Sequence, residues 1–166
     1  MNIADRIDRL TTLIGRAAAW LCLFIVVAQF VVVLMRYGFG TGSAKLTESI
    51  FYAHAALFML AAAWTLRENG HVRVDIFYAD ARPRRKAMVD LLGALLLLIP
   101  FALSLLILSL PYVARSWSIL ERSRETSGLP FVYLLKTLIP LFAISLVLQG
   151  VSQAIRAAHT LRAARS

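Results

Sequence analysis

The sequence predicts an all-α integral membrane protein with four transmembrane helices and short interfacial amphipathic helices. The 166-residue chain is 60% hydrophobic and only 16% charged, and its mean hydropathy of +0.73 is higher than that of soluble domains. Four apolar stretches reach the roughly 20 residues that a helix needs to cross the hydrocarbon core. Because lipid offers the backbone no hydrogen-bond partner, and four such stretches cannot close a barrel, each must be a helix.

The four spans are expected at about 17–35, 47–66, 88–110 and 130–155, within a single membrane domain that covers residues 1–166. Two prolines, Pro100 and Pro140, lie inside the third and fourth spans and should kink them. Gly93 and Gly150 are expected to allow neighbouring helices to approach closely.

The basic residues indicate the orientation of the spans. Segments 1–16, 67–87 and 151–166 together hold twelve Lys and Arg residues, whereas the two connections on the other side hold five. Since positively charged segments resist translocation, both termini should be cytoplasmic. The net charge of +9 therefore reflects topology, and the absence of a basic and aromatic groove argues against nucleic acid as a partner.

Two segments next to the spans have the spacing of interfacial amphipathic helices. The first, at about 2–14, repeats apolar residues at helical intervals (Ile3, Ile7, Leu10 and Ile14). Its acidic residues argue against a removable signal. The second segment, at about 72–82, also repeats apolar residues at helical intervals (Val74, Phe77, Tyr78 and Ala81). It is followed by Pro83 and a basic cluster.

Ionisable groups at membrane depth are candidate functional residues because they are expensive to bury there. Glu48 opens the second span, and Lys136 lies about two turns into the fourth from the same side of the membrane. We predict that these two side chains pair within the bundle or with a partner helix. The alternatives are a helix-dipole effect for the glutamate and a snorkelling lysine.

His54 and Gln29 are further polar residues inside spans, and each is expected to hydrogen-bond to a neighbouring helix. No second histidine lies within a span, so a bis-His haem or a multi-His metal site is not expected. The lone Cys22 lies in an apolar run and fits a small hydrophobic residue. We find no nucleophile beside a base and no carboxylate pair, and so expect neither a catalytic site nor a cofactor.

The stretch RENGHVRVD, residues 67–75, follows the second span. Its Asn69-Gly70 pair is a helix-terminating signal in which the glycine suits a left-handed position. The polar residues His71, Arg73 and Asp75 then alternate with valines, which places them on one side of an extended segment. The alternative is a solvated loop whose arginines only satisfy the positive-inside rule.

The region from Met35 to Tyr78 resembles the small membrane subunit of the TRAP (tripartite ATP-independent periplasmic) transporters, the DctQ-like family. In that family an Arg-Tyr pair closes the first span, a Glu opens the second, and an Arg followed by Gly-His-(Ile/Val)-Arg-Val-Asp leaves it. The matching residues are Arg36, Tyr37, Glu48, Arg67, Gly70, His71, Val72, Arg73, Val74 and Asp75. The family usually has a Trp two residues before the Glu, where this chain has Leu46. Residues 127–155 also resemble the family's fourth span.

The resemblance implies an accessory role in the bacterial inner membrane. The expected partners are a large DctM-like permease subunit, a periplasmic substrate-binding protein and membrane lipid, in a system for sodium-coupled uptake of an organic acid. The small subunit would brace the large one. The residues expected to contact the partner or to form a structural clasp are Arg36, Glu48, Arg67, Gly70, His71, Arg73, Asp75 and Lys136.

Two other classes of function compete with this interpretation. A stand-alone four-helix proton-coupled exporter acting as a dimer would need an acidic residue deep in a span, whereas Glu48 is at an end. A membrane enzyme or cytochrome subunit is disfavoured by the single histidine within the spans.

Overall fold

The computed structural model describes residues 2–71, 78 and 80–163. Within these residues all regular secondary structure is helical, and four helices are long and apolar enough to cross a membrane. The predicted all-α fold with four helices that could span a membrane is thereby confirmed, whereas the orientation of the termini stays a prediction.

The first helix, α1, runs without a break over Ile3–Gly38. The predicted interfacial helix at about 2–14 and the first span at about 17–35 are therefore one helix. Gly15 does not interrupt it, because Trp64 packs directly against the glycine and a Cβ there would lie 2.5 Å from the Trp64 Cβ. The polar residues Asp8 and Thr11 of this segment are buried, whereas the apolar residues Ile3 and Leu10 are exposed.

The second helix, α2, spans Ala44–Arg67. It begins at Ser43, whose side chain accepts a hydrogen bond from the Leu46 backbone N–H at 3.3 Å. At its other end Gly70 N–H donates to Thr65 O and Asn69 N–H to Leu66 O, which is the Schellman arrangement. The left-handed residue is Asn69, with φ of 56°, and not Gly70 as expected. Asparagine tolerates this conformation better than most residues with a side chain.

The third span consists of α3 (Pro83–Gly93), a π-helical turn (Ala94–Leu98) and α4 (Ile99–Ser118). The widened turn comes just before Pro100, which has no N–H to donate to the preceding turn. The end of α4 is another Schellman turn, in which Leu120 takes the left-handed position with φ of 46°. This turn brings Glu121 back over the end of α4.

The last helix, α5, spans Val132–Ala163 and packs against each of the other four. Close packing comes from small residues, because twelve of the fifteen buried apolar residues in the described part of the chain are alanines. Gly150 of α5 approaches the third span as expected, since a Cβ there would lie 3.0 Å from Ile99. Gly93 has no described residue within 4 Å of a Cβ position, so among the described residues its predicted role in close helix approach is wrong.

The polar contacts define two ends of the bundle. The start of α1 meets the ends of α2 and α5 through Asp8, Arg67 and Arg156, and we call this the terminal end. The start of α2 meets the connection 119–131 through Glu48 and Leu129, and we call this the loop end.

Adding one methyl group to each of two helical glycines should have opposite effects. Gly15→Ala is expected to lower the free energy of unfolding by about 1–3 kcal/mol, because the methyl group overlaps Trp64. Gly93→Ala has free space and should raise it by up to about 1 kcal/mol through helix propensity. Unfolding of the two purified variants in the same detergent measures both changes, and equal stabilities would contradict the Gly15–Trp64 contact.

Candidate functional site

A cluster of polar side chains joins three helices at the terminal end. We call it the Asp8 cluster, and its members are Asp8, Thr11, Arg67, Gln149, Ser152 and Arg156. The Asp8 side chain is only 8% exposed. Its Oδ1 accepts hydrogen bonds from Ser152 Oγ at 2.6 Å and from Gln149 Nε2 at 3.2 Å. Its Oδ2 accepts two from the Arg156 guanidinium, at 3.0 and 2.6 Å.

The α5 helix presents these donors on one face. Gln149, Ser152 and Arg156 have spacings of three and four residues, so they point to the same side of a helix. On α1, Thr11 follows Asp8 by three residues and donates to Gln149 Oε1 at 3.0 Å. Gln149 and Ser152 are buried. Every buried polar side-chain atom of this cluster has a hydrogen-bond partner.

Arg67 adds α2 to the same cluster. Its Nε lies 3.8 Å from Asp8 Oδ2, and its guanidinium also donates to the Thr12 hydroxyl. Arg67 was predicted as a clasp residue from its place in the motif. It does connect helices, but the helix it contacts is α1.

The Asp8 cluster is suited to holding helices together and not to chemistry. Both carboxylate oxygens already have two donors, which leaves no free lone pair aimed at a ligand. Among the described residues no group of three or more His, Cys, Asp or Glu side chains could hold a metal ion.

The sequence does not single out most of this cluster, because Asp8 is there only one of the acidic residues that argue against a removable signal. A usable signal was present in the small and polar residues that repeat along one face of α1 (Ala4, Asp8, Thr11, Gly15 and Ala18). All of these are buried. This spacing marks a face that packs closely against another helix.

A second group of polar contacts lies at the loop end. Glu48 Oε2 accepts a hydrogen bond from the Leu129 backbone N–H at 2.6 Å, and Oε1 accepts one from the Ser123 hydroxyl. Glu48 therefore fastens the connection 119–131 to the start of α2.

The predicted pairing of Glu48 with Lys136 is wrong within this chain. Lys136 Nζ instead donates to Glu121 Oε2 at 2.5 Å and lies 4.1 Å from the centre of the Tyr112 ring. Glu121 also accepts from Ser116 Oγ at 2.7 Å. The hydrogen bond from Lys136, followed by that from Ser116, holds the pKa of the Glu121 carboxyl below its ordinary value. Glu121 lies in polar turn sequence, and only the left-handed Leu120 brings it within reach of the lysine.

The remaining predicted residues have different surroundings. Arg36 is exposed in the last turn of α1. The His71 Nε2 lies 3.3 Å from the Ala62 carbonyl oxygen, and so turns back onto the helix that it follows. Arg73 and Asp75 lie outside the described residues, as does most of the predicted interfacial segment at about 72–82. The clasp of His71, Arg73 and Asp75 therefore stays a prediction.

Gln29 and His54 differ from every polar residue above. Both side chains are exposed, although each lies well inside a helix long enough to span the membrane. Neither makes a hydrogen bond to any residue in the described part of the chain. The predicted hydrogen bonds from Gln29 and His54 to a neighbouring helix are therefore not made by any helix in the described residues.

These features define a class, a multi-pass helical membrane protein whose buried charges hold its own helices together. The family model for the tripartite ATP-independent periplasmic transporters, DctQ component, matches residues 25–160. The chain belongs to this family, which is a family of transporter components and not of enzymes, and its members function with a DctM subunit and a periplasmic binding protein. No curated protein and no solved structure matches the chain.

The importance of Asp8 can be separated from that of its half-exposed neighbour Asp5. Asp8→Ala is expected to lower the free energy of unfolding by about 2–3 kcal/mol, because Ser152 and Gln149 lose their acceptor in a buried site. Asp5 bonds only to exposed groups, and Asp5→Ala should cost less than about 1 kcal/mol. Unfolding in detergent measures the two values. A loss for Asp5→Ala equal to that for Asp8→Ala would contradict the assignment.

Double-mutant cycles distinguish the two pairings of Lys136. Glu121→Gln and Lys136→Met are expected to show a coupling energy in the free energy of unfolding, since they share one ion pair. Glu48→Gln and Lys136→Met should be additive, because each residue has a different partner. Coupling in the second cycle but not in the first would restore the pairing of Glu48 with Lys136.

Proposed function

We propose that this chain is the small accessory subunit of a TRAP transporter and braces the large permease subunit during sodium-coupled uptake of an organic acid. In this proposal it lies in the bacterial inner membrane with both termini in the cytoplasm, and a periplasmic binding protein delivers the substrate. The family model supports the transporter class. The twelve Lys and Arg residues in the segments 1–16, 67–87 and 151–166 support the orientation.

The observation that carries the bracing role is an exposed face with unsatisfied polar groups, and its position follows from the contact between α1 and α2. On α1 the less exposed residues recur at alternating intervals of four and three (Leu21, Ile25, Ala28, Val32 and Met35). On α2 the residues at the same spacing (Ile50, Ala53, Leu57, Leu60 and Trp64) are all buried or half-buried. This is the seven-residue pattern of two helices packed along a common seam.

One side of this seam faces α5. Phe24, just before Ile25 on α1, and Ala56, just before Leu57 on α2, both line a crevice of about 400 Å³ against α5. Gln29 follows Ala28 and His54 follows Ala53, so both flank the seam on the opposite side. We call this side the Gln29–His54 face. It includes Cys22 and Arg36 on α1 and Phe51 and Phe58 on α2, all of which are exposed.

The two polar residues lie at comparable depth. Gln29 is nine residues from the end of α1 at Gly38, and His54 is ten residues from the start of α2 at Ala44. At 1.5 Å per residue these distances are about 14 and 15 Å from the loop end. Both side chains are therefore near the middle of a hydrocarbon core about 30 Å thick.

An amide or an imidazole facing lipid at this depth would have no hydrogen-bond partner, which is costly. The Gln29–His54 face is better covered by helices that offer polar groups at the same level. The large permease subunit supplies such helices in this proposal. The exporter alternative lacks support, because the carboxylates of Asp8 and Glu48 lie near helix ends and are occupied by internal hydrogen bonds.

Replacing both polar groups tests the bracing role. The double variant Gln29→Leu/His54→Leu is expected to weaken recovery of the co-expressed large subunit and to reduce uptake by the three-component system. The expected loss of affinity is roughly 3- to 30-fold, from one or two interhelical hydrogen bonds. The variant chain alone should unfold as the wild type does, because neither side chain bonds to described residues.

Ser104→Ala provides the matched control. Ser104 is also exposed within a span, but its hydroxyl donates to its own helix at Pro100 O over 2.8 Å, so recovery and uptake should not change. Undiminished recovery of the large subunit with Gln29→Leu/His54→Leu would overturn this contact face. Solute accumulation in liposomes that contain only this chain would overturn the accessory role itself and favour the exporter.

A further inference from the structure

A basic pocket opens at the terminal end between α1 and the last residues of α2 and α5. It has a volume of about 520 Å³ and is lined by four arginines, two aspartates, Thr12 and Leu13 (Asp5, Asp8, Arg9, Arg16, Arg67 and Arg156 are the charged members). The contacts that hold the transporter bundle together use only some of these charges.

The same arginine, Arg156, forms ion pairs with both aspartates. Arg156 contacts both, at 2.9 Å from Asp5 Oδ1 and 2.6 Å from Asp8 Oδ2. Arg9 and Arg16 are exposed and make no hydrogen bond or ion pair within the described residues. The lining therefore keeps an excess of two positive charges, and both are free to bind an anion.

The free arginines share a face of α1 with exposed apolar residues. Arg9, Leu13, Arg16 and Trp20 have spacings of four, three and four residues, which places them in one row along the helix. Leu13 is 69% exposed and Trp20 is 74% exposed. A tryptophan in such a position is typical of the boundary between headgroups and hydrocarbon.

The pocket extends from the headgroup region toward the water. The uncharged run of α1 begins at residue 17, so Arg16 and Arg9 are about 1.5 and 12 Å beyond it along the helix. Arg67 directly follows the apolar residues of α2 and donates to Thr12 on the same side of the pocket. The headgroup layer is about 5–8 Å thick on each side, so Arg16 lies within this layer and Arg9 lies a few ångströms beyond it on the water side, where a phosphate group at the outer edge of the layer is within reach of its long side chain.

We propose that this pocket binds the phosphodiester headgroup of an anionic phospholipid, with Arg9 and Arg16 as its principal ligands and Arg67 as a third donor. The acyl chains would descend along Leu13 and Trp20. A free phosphate ion offers the same charge and acceptors, but it would make no use of this apolar row. Basic pockets between helices at headgroup height are suited to anionic lipids.

The test uses the full chain in a neutral detergent, with native mass spectrometry to measure binding of dioleoylphosphatidylglycerol and of dioleoylphosphatidylcholine. The wild type should bind phosphatidylglycerol preferentially. Arg9→Gln/Arg16→Gln should weaken this binding about 25-fold, roughly fivefold for each arginine. Arg84→Gln/Arg85→Gln removes two exposed arginines outside the pocket and should leave it unchanged. Both variants should unfold at the wild-type temperature.

Three results would overturn the proposal. Equal binding of the two lipids by the wild type would remove the headgroup preference. Equal losses in the two double variants would show a diffuse attraction to basic residues and not a site. Displacement of phosphatidylglycerol by millimolar inorganic phosphate would identify a soluble anion as the ligand.

Discussion

A carboxylate that leaves water needs donors from the protein, and Asp8 receives all four of its hydrogen bonds from one face of α5. This requirement fixes the height at which α1 and α5 meet and the face that each helix turns toward the other. Arg67 then draws the end of α2 to the same point. Each donor is buried or ion-paired, so removal of the acceptor would leave several polar groups unsatisfied together. The relative positions of three helices thus depend on a single side chain.

The alanine-rich core explains why such polar contacts have so large a role. Ala62 and Ala102 pack around Leu146. An alanine has no alternative side-chain rotamer with which to fill a gap. Lipid tails are as apolar as a protein core, so burial of apolar surface gives little drive for helices to associate in a membrane. The helices must therefore be held together by close packing, as between Gly15 and Trp64, and by interhelical hydrogen bonds. At the loop end Glu48 and Lys136 have the same role, each with a partner from the connection between α4 and α5.

The sequence was sufficient for the fold class, because the hydropathy of four long stretches admits only helices in lipid. It was not sufficient for the contacts between them. Asp8 meets Gln149 across 141 positions, and no local pattern specifies that encounter. Lys136 was assigned to Glu48 because the two were at the same depth, but the left-handed turn at Leu120 offers a nearer carboxylate. The continuity of α1 is not evident in the sequence for a related reason, since the apolar spacing of residues 2–14 is also that of a separate interfacial helix, and Gly15 is a packing position only because Trp64 lies against it.

Polar residues at membrane depth look alike in the sequence, and the structure separates them by whether the chain satisfies them. Glu48, Lys136 and Asp8 have partners within the bundle, so their charges are not available to another subunit. Gln29 and His54 have none among the described residues, and both are exposed. Since an unsatisfied polar group in lipid is costly and adds nothing to the stability of the isolated chain, the two together favour a surface shaped by a neighbour. Internal bonds hold this chain in one shape, and in the proposed function the unsatisfied groups lie where that shape meets the large subunit.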